Sequence, residues 1–155
     1  MMKVNSILFV CLGNICRSPI AEGIARDMSK RNKWDLRIDS CGTSGFHRGE
    51  SPHKYSISTA KKKGIDISGL KSRPINVYSD MEFNLIIAMD SQNKNDILAL
   101  GFDKDKVFKL GEFGSGEDIP DPYYYKDDSG FMVVYELIES LLEKMFKHYG
   151  FSVRE

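Results

Sequence analysis

Cysteine is scarce in this chain, with three in 155 residues, at positions 11, 16 and 41. So few, so irregularly spaced, exclude a secreted disulfide framework. Three scattered histidines, at 47, 53 and 148, give no ligand-pair spacing for zinc, so no metal is expected. Long apolar runs are also missing. The longest near the N-terminus is Ile7 to Leu12, far short of the ~18–20 residues that span a bilayer. It runs into Gly13, Asn14, Cys16 and Arg17 without the small-residue cleavage site of a signal peptide. No segment repeats, none is of low complexity, and no linker divides the chain. The expectation is one domain over residues 1–155 in a reducing cytoplasm, where a cysteine is reactive or buried rather than bridged. Net charge is absent as well, at 22 Lys and Arg against 22 Asp and Glu. The zero hides an asymmetry: 14 basic against 6 acidic from Met1 to Val77, and 8 against 16 from Tyr78 to Glu155. A basic half suits an anionic ligand, and an acidic half argues against nonspecific nucleic-acid binding; solvated helix faces of opposite sign would give the same totals. What remains is an ordinary globular composition, 41% hydrophobic and 28% charged.

Periodicity divides the chain into alternating elements. Val4 to Val10 is rich in β-branched and aromatic residues and ends at a Gly/Asn turn signal, so it reads as a buried strand. Pro19 to Asn32 reads as a helix, with Ser18 as its N-cap and Pro19 at its first position. Trp34 to Cys41 alternates as a second strand, 42–52 is loop, and His53 to Lys63 is helical up to the stop signal at Gly64. Asn84 to Met89 is a third strand. Ser91 caps a helix running to Leu100, and Val107 to Leu110 is a short fourth strand. A glycine-rich acidic loop leads to a long helix from Gly130 to Tyr149, whose apolar positions recur at three and four. The pattern predicts an α/β fold: an open, mostly parallel four-stranded sheet with helices on both faces. Ligands in such sheets sit at the carboxyl ends of the strands.

The loop after the first strand, Cys11-Leu12-Gly13-Asn14-Ile15-Cys16-Arg17-Ser18, joins a buried strand to a helix N-terminus. Backbone N–H groups in such a loop, with the helix dipole behind them, form an anion cradle. Gly13 and Asn14 are the residue types that tolerate left-handed backbone. Arg17 offers a planar fork for phosphate oxygens, and the field that binds phosphate favours a thiolate at Cys11. Nucleophile and oxyanion clamp thus lie in one loop, with the Ser18 hydroxyl near the sulfur. A nucleotide-type phosphate loop does not fit, because no Gly-Lys-Ser/Thr opens the helix. Taken alone, Cys11 also reads as a small buried core residue.

The stretch Val10 to Glu22 (VCLGNICRSPIAE) resembles the signature loop of the low-molecular-weight protein tyrosine phosphatases. Asp121-Pro122-Tyr123-Tyr124 resembles that family's general-acid loop. Two motifs about 100 residues apart, with the same order of elements, extend the resemblance over essentially the whole chain. The resemblance implies Cys11 as nucleophile, Arg17 as phosphate-binding arginine and Ser18 as the hydroxyl that helps the thiolate leave. It implies Asn14 as the residue that locks the loop, with Ser40 as its partner, and Asp121 as the acid that protonates the phenolate and then activates water. It implies Cys16 as a redox partner for Cys11, Leu12, Gly13 and Ile15 as further phosphate-loop positions, Asp90 as loop support, and Phe46, Tyr123 and Tyr124 as pocket walls. The implied substrates are tyrosine-phosphorylated proteins or peptides, with phosphate or other oxyanions in the loop. No cofactor and no nucleic acid are implied, and the working state is a monomer.

Some features depart from the family or leave other readings open. The family often has a histidine shortly before its Lys-x-Arg stretch, bracing the phosphate loop. Here Leu70 stands in that place, so either the loop is less rigid or Ser72 or a water substitutes. His47, next to Phe46, and Lys63 are unusual cations near possible ligand loops, but the reading preferred from sequence is plain surface residues. An arsenate reductase on the same fold would need cysteines after Cys41, and none follows. A protein-arginine phosphatase usually has Thr where this chain has Ile15. A non-catalytic phosphate-binding module would have no need of Cys11, Arg17 and Asp121 together.

Overall fold

The computed structural model describes residues 3–153, the side chain of Tyr124 excepted. Four strands, β1 (Ser6–Cys11), β2 (Arg37–Gly42), β3 (Leu85–Ala88) and β4 (Val107–Lys109), form one sheet in the order β2-β1-β3-β4. Every pairing is parallel, so the mostly parallel sheet expected from sequence is wholly parallel. Four helices connect and follow the strands: α1 (Arg17–Asn32), α2 (Lys54–Lys62), α3 (Ser91–Ala99) and α4 (Ser129–His148).

All of β1 is buried, as expected of a central parallel strand covered on both faces. Its side chains alternate between two cores. Ile7, Phe9 and Cys11 join Ile20, Ile24 and Met28 of α1 and Ile138, Leu142 and Met145 of α4. Leu8 and Val10 point the other way, into a smaller core with Ile97 of α3, Phe83 and Phe102. From β1 the chain crosses to β2 on one side and later enters β3 on the other. The strand order therefore reverses between β1 and β3, which opens a crevice at their carboxyl ends. Cys11 ends β1 there, and Asp90 follows β3.

Element ends differ from the sequence reading in instructive ways. Residues 34–36 are not strand. Lys33 turns left-handed (φ 56°), Trp34 N–H donates to the Ser29 carbonyl, and the Trp34 ring packs on Phe146 and Phe151 with centroids 4.7 and 4.9 Å away. Pairing with β1 starts only at Arg37. Neither serine expected as an N-cap serves as one. Helix α1 begins at Arg17, so Ser18 lies inside it and its hydroxyl points at Cys11. Asp90 caps α3 by accepting from Asn93 N–H, while the Ser91 hydroxyl donates to Asp118. The acidic loop holds two single turns of 3-10 helix, Leu110–Phe113 and Pro122–Tyr124.

Candidate active site

The loop between β1 and α1 is held from outside by its carbonyl groups. Cys11 O accepts from Thr43 N–H (3.0 Å), Leu12 O from Ser44 N–H (2.9 Å) and Ile15 O from His53 N–H (2.8 Å). Gly13 O accepts from the Ser72 hydroxyl (2.9 Å) and Cys16 O from the Ser56 hydroxyl (3.2 Å). A curled loop whose carbonyls are drawn outward presents its amide edge to the inside, which is the geometry of an anion nest. Close approach makes this possible: a Cβ on Gly42 would lie 2.7 Å from the Leu12 carbonyl oxygen, so only glycine lets the loop settle on the end of β2.

Cys11 is 3% exposed at the bottom of the loop. Its Sγ accepts from Asn14 N–H at 3.3 Å and lies 3.1 Å from the Ser18 hydroxyl. Asn14 adopts φ 56°, a left-handed conformation that few side chains other than Asn and Asp tolerate. Its amide is fully engaged: Oδ1 accepts from Arg73 N–H (3.1 Å), and Nδ2 donates to Ser18 Oγ (2.8 Å) and Ser40 Oγ (2.9 Å).

Arg17, in the first turn of α1, is 2% exposed. Nη1 donates to Asp90 (2.6 Å) and to the Ile119 carbonyl (2.8 Å), and Nη2 lies 3.7 Å from Asp121 Oδ2. Nε is buried and donates to no group among the described residues. Burial works against the guanidinium charge, but the Cys11 sulfur, Asp90 and Asp121 outweigh it and hold the Arg17 pKa above its usual range. Ile119 links the acidic loop to the sheet, since its N–H donates to Met89 O at the end of β3 (2.9 Å). That tether brings Asp121 to the cavity, where it caps the second 3-10 turn by accepting from Tyr123 N–H.

Cys11, Arg17 and Asp121 line one cavity of about 390 Å³, with Leu12, Gly13, Ile15 and Cys16 of the loop and Ser44, Phe46, His47 and Tyr123 at its sides. Phe46 is 84% exposed and Tyr123 is 43% exposed, as residues at a pocket mouth are. Cys16 is buried beside Ile15 and Phe131, and burial pushes its thiol pKa well up.

Three comparisons bear on the whole chain. A family model for low molecular weight phosphotyrosine protein phosphatase matches residues 6–153. The chain belongs to this family. It is 38% identical over 146 residues to the low molecular weight protein-tyrosine-phosphatase PtpA of Staphylococcus aureus, covering 92% of each chain. Among solved structures it is similar to a protein tyrosine phosphatase from Entamoeba histolytica (TM-score 0.85, 31% identity, 92% of this chain and 95% of that one). It is also similar to a Drosophila arginine phosphatase (TM-score 0.86, 30% identity, 94% and 98%).

For this low-molecular-weight phosphatase chain, the open question of the missing histidine has a structural answer in part. Leu70 packs against the larger core, and Ser72, two residues on, carries the hydrogen bond to Gly13. Lys63 is exposed at the end of α2, but His47 is not the surface cation expected from sequence. Its side chain is only 16% exposed, it lines the cavity, and a Cβ on Gly13 would meet its Cδ2 at 2.9 Å. Its Nδ1 pairs with Glu50 at 3.0 Å. Adjacency to Phe46 in a loop at a strand's carboxyl end was the signal for it. Glu22, buried on α1, and Arg73 are visible in sequence only as the ends of motifs, because the partners that give them roles, Ser40 and Asn14, are far away along the chain.

Proposed function

We propose that the chain hydrolyses phosphotyrosine and other aryl phosphate monoesters through a cysteinyl-phosphate intermediate. The observation that carries this reading is the convergence of Cys11, Arg17 and Asp121 on one cavity, with the Nε–Nη2 edge of Arg17 free of strong protein acceptors. Two phosphate oxygens would accept from that edge, and the loop amides would hold the rest of the anion. The Cys11 thiolate attacks phosphorus, and Asp121 gives its proton to the departing phenolate. Asp121, now a carboxylate, takes a proton from water. The water oxygen bonds to phosphorus, and the S–P bond breaks toward a thiolate that the Ser18 hydroxyl stabilises. Asn14, with Ser40, holds the loop in its left-handed form, and Asp90 fixes the Arg17 head. Phe46 and Tyr123 provide flat walls for an aromatic ring, and Tyr124 is assigned to the same wall by its place in the motif. Cys16 is the thiol that would trap oxidised Cys11. This route supplies its own nucleophile and calls for no cofactor. Tyrosine-phosphorylated proteins or peptides are the substrates, the working unit is a monomeric single domain, and the reducing cytoplasm is the compartment that suits a thiolate. No described helix is long and apolar enough to cross a membrane.

The test is a panel of phosphotyrosine, phosphoserine and phosphoarginine peptides with wild type and Cys11→Ser side by side. Wild type should turn over phosphotyrosine in preference to the others. Cys11→Ser should lose turnover while still binding vanadate or phosphate, because the cradle is backbone and Arg17 whereas attack needs sulfur. Preference for phosphoarginine would move the chain to the arginine-phosphatase reading, and substantial turnover by Cys11→Ser would place the nucleophile elsewhere.

A further inference from the structure

The phosphate loop is tied to the protein surface by an unbroken chain of hydrogen bonds. The Asn14 amide is oriented by Arg73, whose N–H donates to Oδ1, so both Nδ2 hydrogens are given away, one to Ser18 and one to Ser40. Ser40 Oγ therefore accepts from Asn14 and has only its own hydrogen to give, which goes to Glu22 Oε1 at 2.6 Å. The other oxygen of Glu22 accepts from Arg26 Nε at 2.7 Å, one helical turn along α1. The far end of Arg26 donates to the Ile38 carbonyl at 2.6 Å, two residues before Ser40 on β2. Glu22 is 2% exposed, whereas the Arg26 side chain is 55% exposed.

We infer that Glu22 and Arg26 are positioning residues for the phosphatase reaction, a carboxylate and its counter-charge that fix Ser40 and, through it, the strained Asn14. This rests on the functional reading above and extends it to residues that touch no substrate. A buried carboxylate needs a cation and full hydrogen bonding to persist as a charge. Arg26 supplies the cation and one hydrogen bond from α1, and Ser40 supplies the other. The direction of the chain matters as much as its length. Because Asn14 donates to Ser18, the Ser18 hydroxyl hydrogen is left for the Cys11 sulfur at 3.1 Å or the Cys41 carbonyl at 3.4 Å. If Ser40 is released, the Asn14 side chain loses a partner and the left-handed turn loses part of what holds it.

The discriminating variant is at Arg26, because half-exposed Arg26→Met should fold. With p-nitrophenyl phosphate as substrate, kcat/KM should fall about three- to tenfold, the range for losing one ordinary hydrogen bond, since solvent screens the half-exposed Arg26. KM and the vanadate Kd should move more than kcat, because what slackens is the cradle. Arg26→Lys should recover part of the loss, since an ammonium can pair with Glu22 but cannot also reach Ile38. Glu22→Gln has one acceptor for two donors and should lose a similar amount, with Arg26→Met adding little in that background. Arg31→Met, which removes the exposed Arg31–Asp27 pair on the same helix, should match wild type. Unchanged kcat/KM and vanadate affinity in Arg26→Met, or losses at 22 and 26 that simply add, would overturn the inference whatever the melting temperature does. The NMR signals of the Asn14 side-chain amide decide the matter independently of activity. They should shift and exchange faster with water in Arg26→Met, and identical signals would overturn the inference even if the wild-type enzyme proved to act on another phosphate.

Discussion

Asp121 and Cys16 show how much a single side chain is asked to do at this site. Phenolate is a poor leaving group without a proton, so Asp121→Asn should slow phosphotyrosine turnover by roughly 10²–10⁴-fold, or about 3–5 kcal/mol of barrier. Asparagine keeps an oxygen to accept from Tyr123 N–H, so the 3-10 turn should survive and the loss should be chemical. It should shrink for aryl phosphates whose leaving group needs no proton, and equal losses on both kinds of substrate would make Asp121 structural. Cys16 is buried with its thiol pKa raised by desolvation, so it stays a thiol and does not compete with Cys11 as a nucleophile. Once peroxide has converted Cys11 to a sulfenic acid, the Cys16 sulfur can displace water from it and close a disulfide. Wild type treated with peroxide should regain activity on adding a thiol reductant, and Cys16→Ser should recover poorly. Equal recovery, or no Cys11–Cys16 link by mass spectrometry, would leave Cys16 as a packing residue.

At the scale of an element, α2 carries a pH-sensitive cap. His53 Nδ1 accepts from Tyr55 N–H, which requires that nitrogen to be unprotonated. Burial, with the Lys54 charge behind it, lowers the His53 pKa from its usual value. A base whose folded pKa is lowered contributes stability that is complete above its unfolded pKa, near 6.5, and is lost as pH falls through the lower folded value. Wild type should therefore lose denaturant stability below about pH 6.5. His53→Asn, which caps without titrating, should show a flatter profile over the same window; identical slopes would assign the effect to another group. The caps also mark the reach of local sequence rules. Ser18 and Ser91 have the residue type and position of N-caps, yet one hydroxyl is taken by Cys11 and Asn14 and the other by Asp118. The rule sees neighbours along the chain, whereas these hydroxyls are claimed from strands and loops that folding brings in.

Across the whole molecule, the parts legible in sequence are those with a period or a motif. β1 and α4 announce themselves by runs and by three-four spacing, and the parallel α/β sheet follows from their alternation. The loop from Cys11 to Ser18 and Asp121 are legible because each stands in a motif. The roles of Ile119, Arg73 and Glu22 are not, since each acts through a partner 18 to 102 positions away. Trp34 reads as strand by its local pattern, but its ring closes the far end of the larger core against α4. Trp34→Ala should therefore cost stability, about 2–3 kcal/mol for a half-buried aromatic, and leave kcat/KM unchanged. The residue precedes the amino end of β2, and the cavity lies at the carboxyl ends of the strands. Denaturant melts by circular dichroism, beside turnover of p-nitrophenyl phosphate, check both halves of that expectation.

Arg17 has a consequence for biosynthesis. Its acceptors are Asp90 and Ile119, with Asp121 near by, so a guanidinium that emerges early from the ribosome waits about 100 residues for its surroundings. A chain halted before Ile119 holds the whole signature loop but would have to bury an under-paired charge to form it. Such a chain already holds Asp90 but lacks the Ile119 carbonyl and Asp121, so an assembled loop would leave part of the Arg17 head unpaired. On the proposed reading, the anion site at Cys11 is complete only once the acidic loop has docked, which ties chemical competence to the last third of the chain.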